Sequence, residues 1–224
     1  MNVSMWARIL LGGVLLLRAP GLSFGQVMAS PPVLPVTVLV QSPAETKTEL
    51  QIFCLFRAKP VTILGGSLFE ADQKLHGILH QIWKPGLFGG ELGETILLTP
   101  VEGTFGAKRV LIIGLGDSAT FTPERMYLVG KIALREANRL AVAHPFFAPT
   151  ILDGGVTKYT AGEIAEQTVR GFRDALASEA VLHNSGAADS ITVVDFVYLA
   201  GKQHAKDTQD GIDRALSPSP SAAH

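Results

Sequence analysis

The sequence predicts an α/β fold, a three-layer αβα sandwich with a mixed, mostly parallel sheet. Two observations lead to this class. Apolar, strand-like segments alternate along the chain with segments of helical periodicity. Segment 49–57 is apolar on both faces and segment 109–113 is strongly apolar, which is typical of central strands covered by helices. With 224 residues, 47% of them hydrophobic, the chain is long enough for one domain with a sizeable core.

Residues 1–25 have the pattern of a signal peptide. Arg8 precedes the apolar run 9–17, and small side chains predict cleavage after residue 25 or as late as residue 29. The run is shorter than the roughly 20 apolar residues of a membrane span, and a buried core helix is the alternative interpretation. We therefore expect no stable membrane span and a periplasmic or secreted protein. The protein would be cytoplasmic if translation started at Met28.

The predicted domain covers residues 36–216. A proline-rich linker over 26–35 precedes it, and a disordered Ser-Pro tail over 217–224 follows it. Strands are expected at 36–40, 49–57, 95–98, 109–113, 149–152 and 190–199. Helices are expected at 67–83, from 122 to about 143, from 160 to 176, and up to about 216. Thr160 and Glu163 have the spacing of a capping box, which predicts where the third of these helices begins.

Charge and side-chain chemistry exclude several functions. The formal net charge is -1 and Lys and Arg are scattered, so no basic face is available for nucleic acid. Cys54 is the only cysteine and lies in an apolar segment, which predicts a buried, inert thiol. His76 and His80 are one helical turn apart, but the Glu of the zincin motif and a nearby third ligand are missing. We expect surface histidines, and we predict no catalytic residue, metal site or cofactor.

Four glycines are the candidate ligand-binding residues. Gly89 and Gly90 lie in a glycine-rich loop whose N–H groups suit an anion, with a flexible surface connection as the alternative. Gly114 and Gly116 follow an apolar strand in the order G-x-G-x-x-A, as in dinucleotide sites. However, the next helix begins several residues too late to hold a pyrophosphate, and Asp117 would repel it. A tight turn at the strand exit is therefore favoured for this pair.

These two segments, in this order, resemble the amino-terminal domain of the M17 leucyl aminopeptidases. Residues 88–95 read FGGELGET, and residues 106–116 read GAKRVLIIGLG. In that family a G-x-x-G-E loop precedes an RVLLVGLG strand, and an alanine-rich helix follows. The likeness covers roughly residues 36–200. It implies a macro-domain-like sandwich, in agreement with the fold class expected from the pattern of strands and helices.

The resemblance also implies where the family's chemistry lies. The two-metal site, which activates the attacking water, is carried by a larger carboxy-terminal domain that includes an N-T-D-A-E-G-R stretch. This sequence contains no such stretch. We therefore expect an exported, non-catalytic binding or interaction module whose protein or small-molecule partner is unknown. Two alternatives stay open. One is a macro-like binder of ADP-ribose or another phosphate ligand, and the other is the non-catalytic part of a split or truncated metalloaminopeptidase with a separate catalytic subunit.

Overall fold

A computed structural model describes residues 33–58, 64–84 and 86–217. The predicted signal peptide, most of the predicted linker and nearly all of the predicted tail lie outside these residues. Within the described ranges, no helix is both long and apolar enough to cross a membrane.

The described residues form one six-stranded sheet in the order β1-β6-β5-β2-β4-β3. Neighbouring strands run parallel, except that the edge strand β3 is antiparallel to β4. This arrangement confirms the mixed, mostly parallel sheet. The strands are β1 Val36–Leu39, β2 Gln51–Leu55, β3 Thr95–Leu98, β4 Val110–Gly114, β5 Phe146–Ala148 and β6 Phe196–Leu199.

Helices cover both faces of this sheet. They are α1 Gly66–Lys74, α2 Ile78–Ile82, α3 Arg125–Arg139, α4 Ala161–Asn184 and α5 Ala205–Leu216. The buried side chains of α3, α4 and α5 share one apolar cluster, and those of α1 and α2 share another. In β2, Ile52 and Cys54 belong to the first cluster, whereas Phe53 and Leu55 belong to the second. A strand with both faces buried confirms the three-layer sandwich.

The helices α3, α4 and α5 pack with their backbones in contact. A Cβ atom on Gly171 of α4 would lie 2.1 Å from the carbonyl oxygen of Tyr127 in α3. A Cβ atom on Gly211 of α5 would lie 2.1 Å from the carbonyl oxygen of Gly162 in α4. Such distances are too short for any side chain, so glycine is what lets these three helices form one closely packed layer.

The prediction of one continuous helix over 67–83 is wrong. The chain breaks between α1 and α2, where His76 and Gly77 have φ values of 55° and 78°. The N–H of Gly77 donates to the carbonyl of Asp72, which closes the end of α1. The apolar spacing continues across the break because Leu79 of α2 is buried in the same cluster as the apolar side chains of α1. Periodicity alone therefore did not reveal the interruption.

The predicted strands at 149–152 and 190–199 also differ from the structure. β5 ends at Ala148, because Pro149 has no N–H to donate to a neighbouring strand and Thr150 turns away with a φ of 52°. β6 begins only at Phe196. Before it, the N–H of Thr192 donates to the side chain of Asn138 at 2.8 Å, so this stretch packs on the end of α3.

Helix ends were predicted with mixed success. α3 ends at Arg139 rather than near residue 143, and Ala141 has a φ of 53°. The capping box is confirmed. The Thr160 hydroxyl accepts from the N–H of Glu163 at 3.1 Å, and the Glu163 carboxylate accepts from the N–H of Thr160 at 2.8 Å.

Candidate functional site

A cavity of about 520 Å³ lies at the carboxyl ends of β1, β5 and β6. Carboxyl ends of parallel strands meet at the same edge of a sheet, and a volume of this size suits a small molecule. The loops that follow these strands form much of its wall. Ser67 and Glu70 of α1, and Ile164 and Thr208 of α4 and α5, complete it.

The cavity lies where the chain leaves neighbouring strands toward opposite faces of the sheet. β2 is followed by α1 on one face, whereas β5 is followed by α4 on the other. The neighbouring strands β2 and β5 are therefore followed by connections to opposite faces of the sheet. In open α/β sheets this divergence opens the crevice in which ligands bind.

The α1 side of the cavity carries two carboxylates. The Ser67 hydroxyl and the N–H groups of Ser67 and Leu68 donate to Asp153. Burial raises the pKa of Asp153, and these three hydrogen bonds offset part of the increase. The second carboxylate is Glu70, which accepts from the Ser42 hydroxyl at 2.6 Å. This side of the cavity is therefore polar and negatively charged.

The opposite side is largely apolar and includes Ile164 and the rings of Tyr159 and Tyr198. The Tyr198 hydroxyl is the one buried side-chain polar atom in the described residues without a hydrogen bond of ordinary geometry. Burial raises the pKa of Tyr198, and the nearby Thr168 hydroxyl offsets part of that effect. This hydroxyl lies next to Thr168 in the core and is not exposed to the cavity, so only the ring of Tyr198 belongs to the wall.

The helix N-termini beside the cavity are already occupied by acidic side chains of this chain. Asp153 accepts from the first N–H groups of α1. In α4, Asp207 accepts from the N–H of Gly162 at 2.8 Å, and Thr160 accepts from the N–H of Glu163. Helix N-termini are common sites for phosphates because their N–H groups are free. Here those groups bind carboxylates and a hydroxyl instead.

The predicted glycines are brought together, but away from this cavity. Gly89, Gly90, Gly114 and Gly116 lie near the carboxyl ends of β2 and β4, and none of them lines the cavity. The N–H of Gly116 donates to the carbonyl of Gly90 at 2.9 Å. The N–H groups of Gly114 and Gly89 donate to the main chain and the carboxylate of Glu94.

Close packing explains why glycine stands at two of these positions. A Cβ atom on Gly114 would lie 2.0 Å from the carbonyl oxygen of Glu91, and one on Gly90 would lie 2.3 Å from that of Phe56. The glycine-rich loop thus packs directly on the ends of β2 and β4. A ligand role for the four glycines stays a prediction.

Cys54, His76 and His80 are placed as the sequence predicts. Cys54 is completely buried, and burial raises the pKa of its thiol, so thiolate is not available as a nucleophile. His76 and His80 are both exposed. Over the described ranges, no three His, Cys, Asp or Glu side chains converge in a way that would hold a metal ion.

The cavity was not predicted from the sequence. Asp153 was visible as an acid after an apolar segment, but its partner Ser67 is 86 positions away. The one usable signal was general: residues just after parallel strands meet at one edge of the sheet.

Residues 62–179 match the family model described as the cytosol aminopeptidase family, N-terminal domain. The probable cytosol aminopeptidase of Burkholderia mallei is 32% identical over 89 residues, which are 40% of this chain and 17% of that protein. The one from Roseiflexus castenholzii is 28% identical over 136 residues, 61% of this chain and 25% of that protein. The chain therefore matches a quarter or less of the length of these relatives.

Solved structures show the same fold. A mutant of tomato leucine aminopeptidase aligns with a TM-score of 0.55 and 17% identity, over 82% of this chain and 36% of that one. The Trypanosoma brucei macrodomain in complex with ADP aligns with a TM-score of 0.54 and 12% identity, over 80% and 69% of the two chains. The macro domain of ganglioside induced differentiation associated protein 2 has a TM-score of 0.56 and 12% identity, over 84% and 90%. The macrodomain-like fold is thus confirmed.

Proposed function

Because this chain belongs to the cytosol aminopeptidase family through that family's N-terminal domain, we propose that it acts as a non-catalytic binding module. The observation that carries the proposal is the cavity of about 520 Å³ at the carboxyl ends of β1, β5 and β6. It has the size, the position and the mixture of apolar walls with a few polar groups that small-molecule sites share. The proposal concerns the described domain.

A screen with a chemically diverse fragment set tests whether the cavity binds small molecules. Ala200 lines the cavity and is half-buried, so Ala200→Phe fills part of its volume. Ala187 is exposed beyond the far end of α4, and Ala187→Phe is the matched control. We expect fragments that shift the amide resonances of cavity residues in the wild type and in Ala187→Phe, but not in Ala200→Phe. A screen without any cavity ligand would contradict the proposal.

An activity assay tests the non-catalytic part of the proposal. The purified chain is incubated with leucine anilide and added manganese or zinc, the metal-dependent conditions that suit a peptidase. We expect no release of the aniline above the rate without protein. Metal-dependent turnover that persists through repeated purification would show that the domain is an enzyme.

We further propose that the domain is exported, on the basis of the signal-like residues 1–25. Amino-terminal sequencing of the protein from its native cells measures this directly. A mature chain that begins at residue 26 or at residue 30 is expected. A chain that begins at Met1 or Met28 and stays in the cytoplasm would contradict export.

Binding of ADP-ribose or another phosphate compound is the second candidate function. It is supported by the macrodomain-like fold and by the similarity to a macrodomain crystallised with ADP. The acidic side chains Asp153 and Asp207 at the adjacent helix N-termini count against it. Calorimetry with ADP-ribose decides between the two. Heat of binding that Ala200→Phe abolishes would establish the second candidate, and no heat at millimolar ligand would remove it.

A role as the non-catalytic part of a split or truncated metalloaminopeptidase is the third candidate. It is supported by the family match, which lies in that family's N-terminal domain. Affinity purification of the tagged chain from native cells, followed by mass spectrometry, tests it. Recovery of a metallopeptidase in stoichiometric amount would support the role, and purification of the chain free of any peptidase would oppose it.

A further inference from the structure

We propose that the cavity binds a compound with a cationic amine on an apolar body, rather than a phosphate compound. This inference rests on the proposed binding function and names the class of ligand. It follows from the charge of the lining residues, the placement of two carboxylates on one side, the occupation of the neighbouring helix N-termini, and the apolar opposite wall.

The charge of the lining has one sign. Among the described residues that line the cavity, Glu70 and Asp153 are acidic, and none is Lys or Arg. His204 also lines the cavity. Phosphate sites need cationic side chains or free N–H groups to offset desolvation of the anion. This lining offers a negative charge instead.

The two carboxylates are held on the same side of the cavity. Ser67 and Glu70 are three positions apart on α1 and therefore share one helix face. Because Ser67 donates to Asp153, the carboxylate of Asp153 lies against that same face. A carboxylate has about four acceptor positions, which exceeds the single bond that Ser42 makes to Glu70. An ammonium group placed between Glu70 and Asp153 therefore has carboxylate oxygens available as acceptors.

The burial of Asp153 adds to the attraction between its carboxylate and a cation. Burial disfavours the charged form of Asp153, and its pKa is raised despite the hydrogen bonds from α1. A cation bound beside it would favour the charged form and lower the pKa again. The carboxylate therefore has more to gain from an ammonium group than an acid that is fully hydrated.

The usual anion sites beside the cavity are closed. Asp153 and Asp207 accept from the N–H groups at the starts of α1 and α4. A phosphate placed at either helix would displace a carboxylate or lie next to one, and like charges at such distances repel. Of these two groups, Asp153 lines the cavity, and its carboxylate attracts an amine.

The opposite wall suits an apolar body. Ile151 and Ile164 are buried side chains that line it, together with the ring of Tyr198. An alkyl chain or ring would remove apolar surface from water there, while the amine contacts Glu70 and Asp153.

Hexylammonium and 1-hexanol test this inference because they share an apolar body and differ in charge. Binding to the full domain is measured by amide shifts in NMR titrations. We expect the wild type to bind hexylammonium about tenfold or more tightly than hexanol, as hydrogen bonds to charged groups contribute more than neutral ones. Glu70→Gln and Asp153→Asn keep an acceptor oxygen and should each reduce this preference severalfold. Asp189→Asn, at an exposed position before β6, is the control and should leave it unchanged.

The outcomes separate this inference from the proposed function. Equal binding of hexanol and hexylammonium, or no hexylammonium binding at cavity residues, would overturn the amine class. So would ADP-ribose binding at these residues that excludes hexylammonium. In each case, fragments found in the cavity would still support a binding module. A thermal melting curve for each variant shows that a lost preference comes from lost charge and not from unfolding.

Discussion

The hydroxyl of Thr150 hydrogen-bonds both main-chain groups of Cys54. It accepts from the Cys54 N–H at 3.1 Å and donates to the Cys54 carbonyl at 2.5 Å. The pairing of β5 with β2 ends where Ala148 lies opposite Phe53, so the next residue of β2 has lost its strand partner on that side. The Thr150 side chain takes the place of that partner and holds β2 against the loop that lines the cavity.

Replacement of Thr150 by valine should destabilise the domain, since it leaves two buried main-chain groups of Cys54 unpaired. We expect a loss of about 1–3 kcal/mol in the free energy of unfolding, measured by urea denaturation. Thr150→Ser retains the hydroxyl and should lose much less. Equal stability of the valine and serine variants would show that the hydrogen bonds to Cys54 contribute little.

Replacement of Gly171 by alanine should also destabilise the domain. Its Cβ would lie 2.1 Å from the main-chain oxygen of Tyr127, so α3 and α4 must move apart. Overpacking of this kind costs about 1–3 kcal/mol, against a gain of about 1 kcal/mol in helix propensity. We expect a lower melting temperature by circular dichroism. Gly201→Ala is the control, because the nearest atom to its Cβ is 3.6 Å away, and it should melt like the wild type.

The carboxyl group of Asp153 should titrate above its ordinary pKa of 3.8, because burial disfavours its charged form. Carbon-13 NMR of the side chain measures this pKa directly. Ser67→Ala removes a hydrogen bond that favours the charged form, so the pKa should rise further in that variant. A pKa at or below 3.8 in the wild type would contradict the burial of this group.

The raised pKa of Asp153 also makes the free energy of unfolding depend on pH in a defined direction. A group whose pKa is higher in the folded state contributes stability below its unfolded pKa, and this contribution is lost as pH rises through the folded pKa. Asp153→Asn does not titrate. The difference in unfolding free energy between Asp153→Asn and the wild type should therefore shift in favour of the variant from about pH 4 to about pH 7. A difference that is constant with pH would contradict this.

Removal of the cap of α4 should have a moderate effect. Thr160→Ala leaves the N–H of Glu163 without its acceptor, and a loss of about 1 kcal/mol is expected. Thr160→Ser keeps the acceptor and should retain most of the stability. Chemical denaturation of the three proteins makes the comparison. If the alanine variant is as stable as the serine variant, water replaces the threonine hydroxyl without cost.

The sequence predicted those parts of the fold that local chemistry determines. The capping box of Thr160 and Glu163 and the apolar strand β4 are examples, because neighbouring residues alone specify them. The break at Gly77 and the end of β5 at Ala148 were missed. Apolar periodicity runs across both places, and it obscured the local signals there, which are the left-handed backbone at Gly77 and the missing N–H of Pro149.

The site was less predictable than the fold because its residues lie far apart in the sequence. Ser67, Asp153 and Tyr198 come from three separate segments, and only the sheet brings them near one cavity. The glycine patterns predicted ligand-binding residues at Gly90 and Gly114, where the structure shows backbones in close contact. A glycine required for packing and a glycine required for a ligand look alike in a single sequence.

The seclusion of Cys54 makes site-directed spectroscopy straightforward. The chain has no second cysteine, and its one sulfhydryl is shut inside the sandwich. A variant such as Lys202→Cys, at an exposed position next to the cavity residues Gly201 and Gln203, would therefore carry a single accessible attachment point. A maleimide dye there would report on that rim alone, with the native residue left in place.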